Sequence, residues 1–127
     1  MIYLNIKGLI GEVINKYERK GFSIIAGKLI QADRKAVELH YAEHSEKFFF
    51  QELIDYFLEG LVFVMVLEGE NVIDIVRNIN GDKEPRNALC GTIRGDYANS
   101  KGKNIVHASD SSESAEIEIG IWFPEIV

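Results

Sequence analysis

The chain has 127 residues and a formal net charge of −6, with 20 acidic side chains against 14 lysines and arginines. Its length predicts one domain over residues 1–127, and a hydrophobic content of 46% excludes wholesale disorder. The acidic balance argues against a nucleic-acid partner, and no apolar run reaches the roughly 18 residues of a membrane helix. The single cysteine, Cys90, excludes an internal disulfide, and the first residues lack the pattern of a secretion signal, so we expect a cytoplasmic protein.

Apolar periodicity and turn residues predict helices that alternate with strands along the chain. This alternation is typical of an α/β or α+β protein with helices packed on a small sheet. Only three strands are visible, so either residues 1–6 supply a fourth strand or one strand is missing. In chain order, the first predicted elements are a helix over 8–20, a strand over 22–30, a helix from the N-cap Asp33 to about Tyr41, and a helix over 49–58 with Leu53, Ile54 and Phe57 inward. They are followed by a strand over 61–67, a helix over 72–80, a strand over 104–107, and a final helix that starts at a capping-box-like segment, 110–113.

The segment between residues 82 and 102 has no clean period and is predicted to be a long loop. Pro85, Gly91, Gly95 and Gly102 interrupt it, and a structureless loop of this length in a small domain is usually functional. Residues 77–103 carry six basic and three acidic side chains, a local charge of +3 in an otherwise acidic protein. Such a segment favours a compact anion such as phosphate, although a solvated loop with incidental charge is the alternative.

His107 is predicted at the junction of a short strand and the final helix. A helix N-terminus favours anions, and an imidazole can act as a general acid or base or accept a phosphoryl group covalently. Glu118, further along the same helix, could hydrogen-bond one ring nitrogen and leave the other to attack. A lone histidine is more often structural, so the residues by themselves leave both roles open.

Two motifs carry a resemblance to a known family: residues 91–96, which read GTIRGD, and residues 104–111, which read NIVHASDS. The sequence resembles nucleoside diphosphate kinases, and the similarity extends over nearly the whole chain. The resemblance implies a ferredoxin-like sandwich, in which helices cover a small antiparallel sheet. It also implies transfer of the γ-phosphoryl group of ATP to nucleoside diphosphates by a ping-pong mechanism through a phosphohistidine.

The resemblance also implies a role for each matching residue. His107 matches the phosphorylated histidine and Glu118 the carboxylate that orients it. Magnesium would be held mainly by the nucleotide phosphates, with no residue of the chain as a dedicated metal ligand, and the chain would form homo-oligomers, either hexamers or tetramers. The implied nucleotide-binding residues are Arg77 and Arg94 on the phosphates, Asn104 on ribose and phosphate, Phe49 stacked on the base, and Leu53 and Tyr41 beside it.

The sequence departs from the family at two phosphate contacts. The family's first strand ends in Lys-Pro-Asp, but here Met1 stands in place of the lysine, so this strand is expected to be missing or replaced. Lys83 replaces the phosphate-contacting threonine and could restore a positive charge, with Lys7 as a second candidate. Losing one charged contact would cost on the order of a hundredfold in rate. The alternatives are therefore a catalytically impaired nucleotide-binding or assembly member of the family, or a coding sequence that begins further upstream.

Other chemically interesting residues have ordinary explanations. His40 and His44 are four residues apart, as metal ligands on a helix can be, but no third ligand accompanies them in the sequence. Trp122 is predicted to serve packing alone. Cys90 has no histidine or acid near it in sequence that would activate a thiol, so we expect it to be inert.

Overall fold

The computed structural model describes residues 2–4, 9–98 and 106–126. The described part of the chain contains a four-stranded sheet and six α-helices. The strands are β1 (Ile2–Leu4), β2 (Ser23–Ile30), β3 (Val62–Glu68) and β4 (Val106–Ala108). The helices are α1 (Ile10–Arg19), α2 (Arg34–His40), α3 (Phe50–Leu58), α4 (Val72–Asn80), α5 (Ile93–Tyr97) and α6 (Ser112–Trp122), and short 3-10 turns lie at Ala42–His44, Pro85–Asn87 and Pro124–Ile126.

The sheet is antiparallel, with the strand order β2-β3-β1-β4. Residues 2–4 supply the fourth strand, which confirms the first of the two predicted alternatives. In the register of this strand, Tyr3 lies opposite Val64 on one side and His107 on the other. The strand that carries His107 is therefore held in the sheet by the first residues of the chain.

Strand β3 has apolar side chains on both faces because helices cover both sides of the sheet. Val62, Val64 and Val66 face a core formed with α2, α3 and α6. Met65, which points the other way, faces a second core formed with α1, α4 and α5. This continuous apolar pattern is typical of a strand buried on both faces, and it confirms the predicted layers of helices on a small sheet.

The prediction of a long loop from 82 to 102 was wrong for its described part, residues 82–98. Helix α5 lies within it and follows the N-cap Thr92, whose hydroxyl oxygen accepts a hydrogen bond of 3.0 Å from the Gly95 amide. This helix has only five residues, one of which is Gly95, so it contains too few apolar residues to show a helical period in the sequence. Several residues of the described part of this segment, 82–98, line the cleft described below.

Two predicted caps differ in detail from the structure. The N-cap of α6 is Ser111, whose hydroxyl accepts from the Ser114 amide, and not Asp110 as the capping-box pattern suggested. Asp33 does precede α2 at the N-cap position, but its side chain makes no cap hydrogen bond. Within the ranges that the structure describes, no helix has the length and apolar character needed to cross a bilayer.

Candidate active site

A cleft of about 850 Å³ lies where α4, α5, β4 and α6 meet, and it gathers residues that are far apart in the sequence. Arg77 lies near the end of α4, Lys83 in the loop that follows, and Arg94 on α5. His107 comes from the middle of β4 and Glu118 from α6. The structure therefore brings together five of the predicted site residues.

His107 and Glu118 face each other at the base of this cleft. The Nε2 atom of His107 lies 3.5 Å from Oε1 of Glu118, and both side chains are mostly buried. A separation of 3.5 Å is long for a hydrogen bond, but such contacts often shorten once a substrate is bound. The geometry assigns Nε2 to the carboxylate, which makes Nδ1 of His107 the candidate nucleophile.

The carboxylate of Glu118 is kept in its charged form. Its burial alone would raise its pKa, but a hydrogen bond and the charge of His107 and a hydrogen bond from Ser109 together lower the pKa below its ordinary value. The Ser109 hydroxyl donates to Oε1 of Glu118 over 2.8 Å. Ser109 therefore holds the same carboxylate oxygen, Oε1, that lies nearest to His107.

Arg94 is buried and is held by backbone carbonyls. Its Nη1 donates to the carbonyl oxygen of Gly81 over 2.6 Å, and its Nη2 donates to that of Val106 over 2.7 Å. Gly81 has a φ of 88° at the end of α4, a conformation that favours glycine, and any Cβ there would lie 2.5 Å from Oγ1 of Thr92. The guanidinium is thereby oriented before any nucleotide binds.

The cleft is less basic than the charge of residues 77–103 suggested. Three basic residues of that segment do line it, but Arg86 instead bonds Glu84 in the exposed loop over 2.8 Å. Lys101 and Lys103 lie outside the described residues. Carboxylates from other parts of the chain join the cleft, so that its charged lining consists of Arg77, Lys83 and Arg94 with Glu43, Asp74, Asp82, Asp110 and Glu118.

Arg77 makes a small electrostatic contribution at this end of the cleft. The pKa of Asp110 is lowered, chiefly by a hydrogen bond from Ser114 and to a smaller extent by the charge of Arg77. Asp110 lies beside the N-terminus of α6, where a charged carboxylate is favourable. An incoming phosphate would compete with this carboxylate for Arg77.

The three residues predicted around the base lie beside the cleft and not in its lining. Phe49 is half-buried, with its ring 5.9 Å from the ring of His44, which lines the cleft. Tyr41 is buried with its ring 6.3 Å from that of His107, and Leu53 packs against the core. Asn104, Lys7 and Met1 lie outside the described residues, so their predicted roles stay predictions.

His40 and Trp122, for which the sequence analysis predicted no role in a functional site, are part of this site. His40 does not pair with His44 as a candidate metal ligand; possible ligand atoms of His40, His107 and Glu118 instead lie within 4.8 Å of one another. Trp122 also does more than pack, because its indole N–H donates to Nδ1 of His40 over 3.1 Å. No sequence signal could have linked them, since they are 82 positions apart.

Comparison with known proteins identifies the family. The family model for nucleoside diphosphate kinase matches residues 5–126. The nucleoside diphosphate kinase of Caldanaerobacter subterraneus is 51% identical over 121 residues, which cover 95% of this chain and 87% of that protein.

Solved structures show the same likeness. The nucleoside diphosphate kinase of Encephalitozoon cuniculi superposes with a TM-score of 0.93 at 38% identity, over 96% of this chain and 86% of that one. The enzyme of Halobacterium salinarum, solved in complex with CDP, gives a TM-score of 0.91 at 37% identity, over 96% of this chain and 84% of that one. These matches favour a functional transferase over the impaired alternative, and the chain belongs to the nucleoside diphosphate kinase family.

Proposed function

We propose that the chain transfers the γ-phosphoryl group of ATP to nucleoside diphosphates through a phosphohistidine on His107, in a ping-pong reaction. The observation that carries this proposal is the pair formed by His107 and Glu118, whose Nε2 and Oε1 atoms lie 3.5 Å apart at the base of the cleft. A charged, buried carboxylate on one ring nitrogen holds the proton there and leaves the lone pair on Nδ1. This is the arrangement that a nucleophilic imidazole needs.

The two half-reactions use the same atoms in opposite directions. In the first, Nδ1 of His107 attacks the γ-phosphorus; a P–N bond forms, the bond to the bridging oxygen breaks, and its electron pair leaves with ADP. Nε2 keeps its proton, and Glu118 stabilises the charge that develops on the ring. In the second, a terminal oxygen of a nucleoside diphosphate attacks the phosphohistidine, the P–N bond breaks, and Nδ1 regains its lone pair.

The cations of the cleft supply the electrostatic part of the reaction. Arg94 is buried and held by two carbonyls, so it can stabilise charge on the transferring group with little reorganisation. Arg77 and Lys83 are exposed at the cleft and bind the outer phosphates. Lys83 supplies a positive charge where the family has threonine. Asn104 contacts the ribose and phosphate, and Phe49 stacks on the base, with Leu53 and Tyr41 supporting it.

Magnesium enters the cleft with the nucleotide as MgATP. Mg²⁺ prefers oxygen ligands and keeps several waters, so phosphate oxygens and one or two protein oxygens suffice. The cleft offers such oxygens on Asp74, Asp82 and Asp110. Among the described residues, the group that could converge on an ion is His40, His107 and Glu118, and a site with two imidazoles suits Mg²⁺ poorly.

The chain forms a homo-oligomer in the cytoplasm, either a hexamer or a tetramer. Strand β2 supports this assembly, because it lies at one edge of the described sheet and exposes Ile25 and Leu29. An edge strand with exposed apolar side chains is a template for pairing with another chain. Cys90 is exposed as a thiol, which suits a reducing compartment.

The experiment that tests the proposed reaction is phosphoryl labelling of the purified chain. Incubation with γ-labelled ATP and magnesium should give an acid-labile, alkali-stable label, and a nucleoside diphosphate should remove it as nucleoside triphosphate. His107→Ala should abolish the label, and Glu118→Gln should slow its appearance while nucleotide binding persists. A wild-type chain that takes up no label, or a His107→Ala chain that takes up as much as wild type, would contradict the proposal.

A further inference from the structure

Two side chains of helix α6, Glu118 and Trp122, lie in the region of His107, and Trp122 has no role in the reaction described so far. Glu118 and Trp122 are four residues apart on this helix, so they lie on the same face, one turn apart. Glu118 contacts Nε2 of His107 directly, whereas Trp122 donates to His40, a buried residue at the end of α2. The ring of His40 packs against the ring of His107, with 4.8 Å between centroids and an angle of 70° between planes.

We propose that His40, oriented by Trp122, is a positioning residue for the nucleophile. It is a neutral imidazole that packs against the ring of His107 and keeps that ring paired with the carboxylate of Glu118. The proposal rests on the proposed function, since it concerns His107 as the nucleophile. His40 does not line the cleft, so it acts through His107 and Glu118 and not on the substrate.

The hydrogen bond from Trp122 determines where His40 carries its proton. An indole N–H can only donate, so Nδ1 of His40 must present a lone pair. In the neutral ring the proton is therefore on Nε2, which makes His40 a donor on that side. A donor cannot accept the Nε2 proton of His107, so that proton is directed to Glu118 and the lone pair of His107 stays on Nδ1.

The surroundings of His40 keep it neutral. Burial is the main reason that its pKa falls to about 3, and the nearby His107 and His44 lower it further, while Glu118 acts in the opposite direction. Tyr41 is a further titratable side chain against the ring, at 4.7 Å between centroids. A charged His40 would be a second cation beside the single carboxylate, whereas a neutral one leaves His107 as the ring that carries positive charge beside Glu118.

The shape of the pocket adds a steric restraint on His107. His40 and Tyr41 both meet its ring edge-to-face, with centroids at 4.8 Å and 6.3 Å. Phe57 in turn stacks on Trp122 with 5.2 Å between centroids and 7° between planes, which fixes the indole that holds His40. The orientation of the nucleophile thus depends on a row of rings that begins in the core.

Trp122→Phe removes the N–H and keeps a ring against Phe57. We expect phosphorylation of His107 in a single-turnover rapid-quench measurement to slow about tenfold, because small misplacements of a reacting group are costly. ADP affinity by calorimetry should stay within about twofold, since no nucleotide contact changes. The bond from Trp122 stabilises the neutral form of His40, so its loss should also move the acid limb of the pH–rate profile to higher pH.

Two further variants separate positioning from simple structural support. Ile54→Val disturbs the same core without an imidazole contact and should leave the phosphorylation rate within twofold. His40→Asn keeps an acceptor near the Nδ1 position but cannot be charged. If Trp122 acts through His40, adding Trp122→Phe to His40→Asn should slow the reaction no further and should not move the acid limb.

The outcomes distinguish this inference from the reaction it rests on. A wild-type chain that takes up no label overturns both. A wild-type chain that is labelled while Trp122→Phe reacts at the same rate, or slows only as much as Ile54→Val, overturns the positioning role alone. Additive losses in the double variant would show that Trp122 acts without His40 and would also overturn it.

Discussion

Arg94 donates a hydrogen bond of 2.7 Å to the carbonyl oxygen of Val106, the residue immediately before His107. The same guanidinium donates to the carbonyl of Gly81 at the end of α4. One buried cation thus joins α4, α5 and the strand that carries His107, the proposed nucleophile. A residue expected only to contact phosphate also shapes the site that we propose for the phosphate.

Arg94→Lys should therefore reduce both activity and stability. An ammonium is a single point donor and cannot reproduce the forked contacts, so at least one carbonyl is left unsatisfied in a buried site. We expect the free energy of unfolding to fall by about 1–3 kcal/mol and kcat/KM to fall about a hundredfold. Urea unfolding and steady-state kinetics measure the two effects. Arg86→Lys, in the exposed loop, is the matched control and should change neither.

Gly95→Ala should disrupt α5 and with it the position of Arg94. A Cβ at residue 95 would collide with the backbone carbonyl of Leu89 and approach Oγ1 of Thr92 to 2.8 Å. Backbone cannot yield as a flexible side chain can, so we expect a loss of about 2–3 kcal/mol in unfolding free energy. Gly120→Ala in α6 meets nothing within 4 Å and should stabilise the chain by about 0.5–1 kcal/mol. Equal thermal midpoints for the two variants would contradict the prediction.

The buried His40 should make the fold sensitive to acid. Its pKa in the folded chain, about 3, lies below the ordinary value of 6.5, so between these limits the unfolded chain binds more protons. Stability should therefore be complete above pH 6.5 and should fall as the pH decreases towards 3, by several kcal/mol at most. Glu118 acts in the same direction, because its pKa is also lowered in the fold.

His40→Asn isolates that contribution. Urea unfolding of the wild type at pH 7 and at pH 5 should give a clear loss of free energy, of about 1–2 kcal/mol. The variant should start lower at pH 7 and lose less between the two values, since it has no imidazole to protonate. A variant whose loss equals that of the wild type would show that other groups cause the acid sensitivity.

Leu29→Lys should dissociate the proposed homo-oligomer. Leu29 is 53% exposed on the edge strand β2, so a lysine there costs an isolated protomer little but places a charge in any β2 interface. Light scattering after gel filtration should show a smaller mass for this variant than for wild type. Ile117→Lys, 65% exposed on α6 and not on β2, should keep the wild-type mass. An unchanged mass for Leu29→Lys would place the interface elsewhere.

Much of the fold and the chemistry could be predicted from the sequence because the relevant signals are local. The spacing of Ile54 and Phe57 predicts α3 with its buried face, and the continuous apolar run around Val64 predicts the central strand. The two motifs that carry the family resemblance include Arg94 and His107, and the structure places both in one cleft. Periodicity and motifs lie within short stretches of chain, so no knowledge of the packing is needed to read them.

The tertiary structure alone decided which residues share the site. Helix α5 was missed because it is short and contains a glycine, and its start is fixed by a contact of Thr92 with the Leu89 carbonyl. The charge along residues 77–103 did not predict the mixed charge of the cleft, because carboxylates such as Asp110 come from other elements. Trp122 and His40 looked unrelated in sequence and are joined only when α6 packs beside α2. Contacts of this kind depend on the packing of whole elements, which local patterns do not contain.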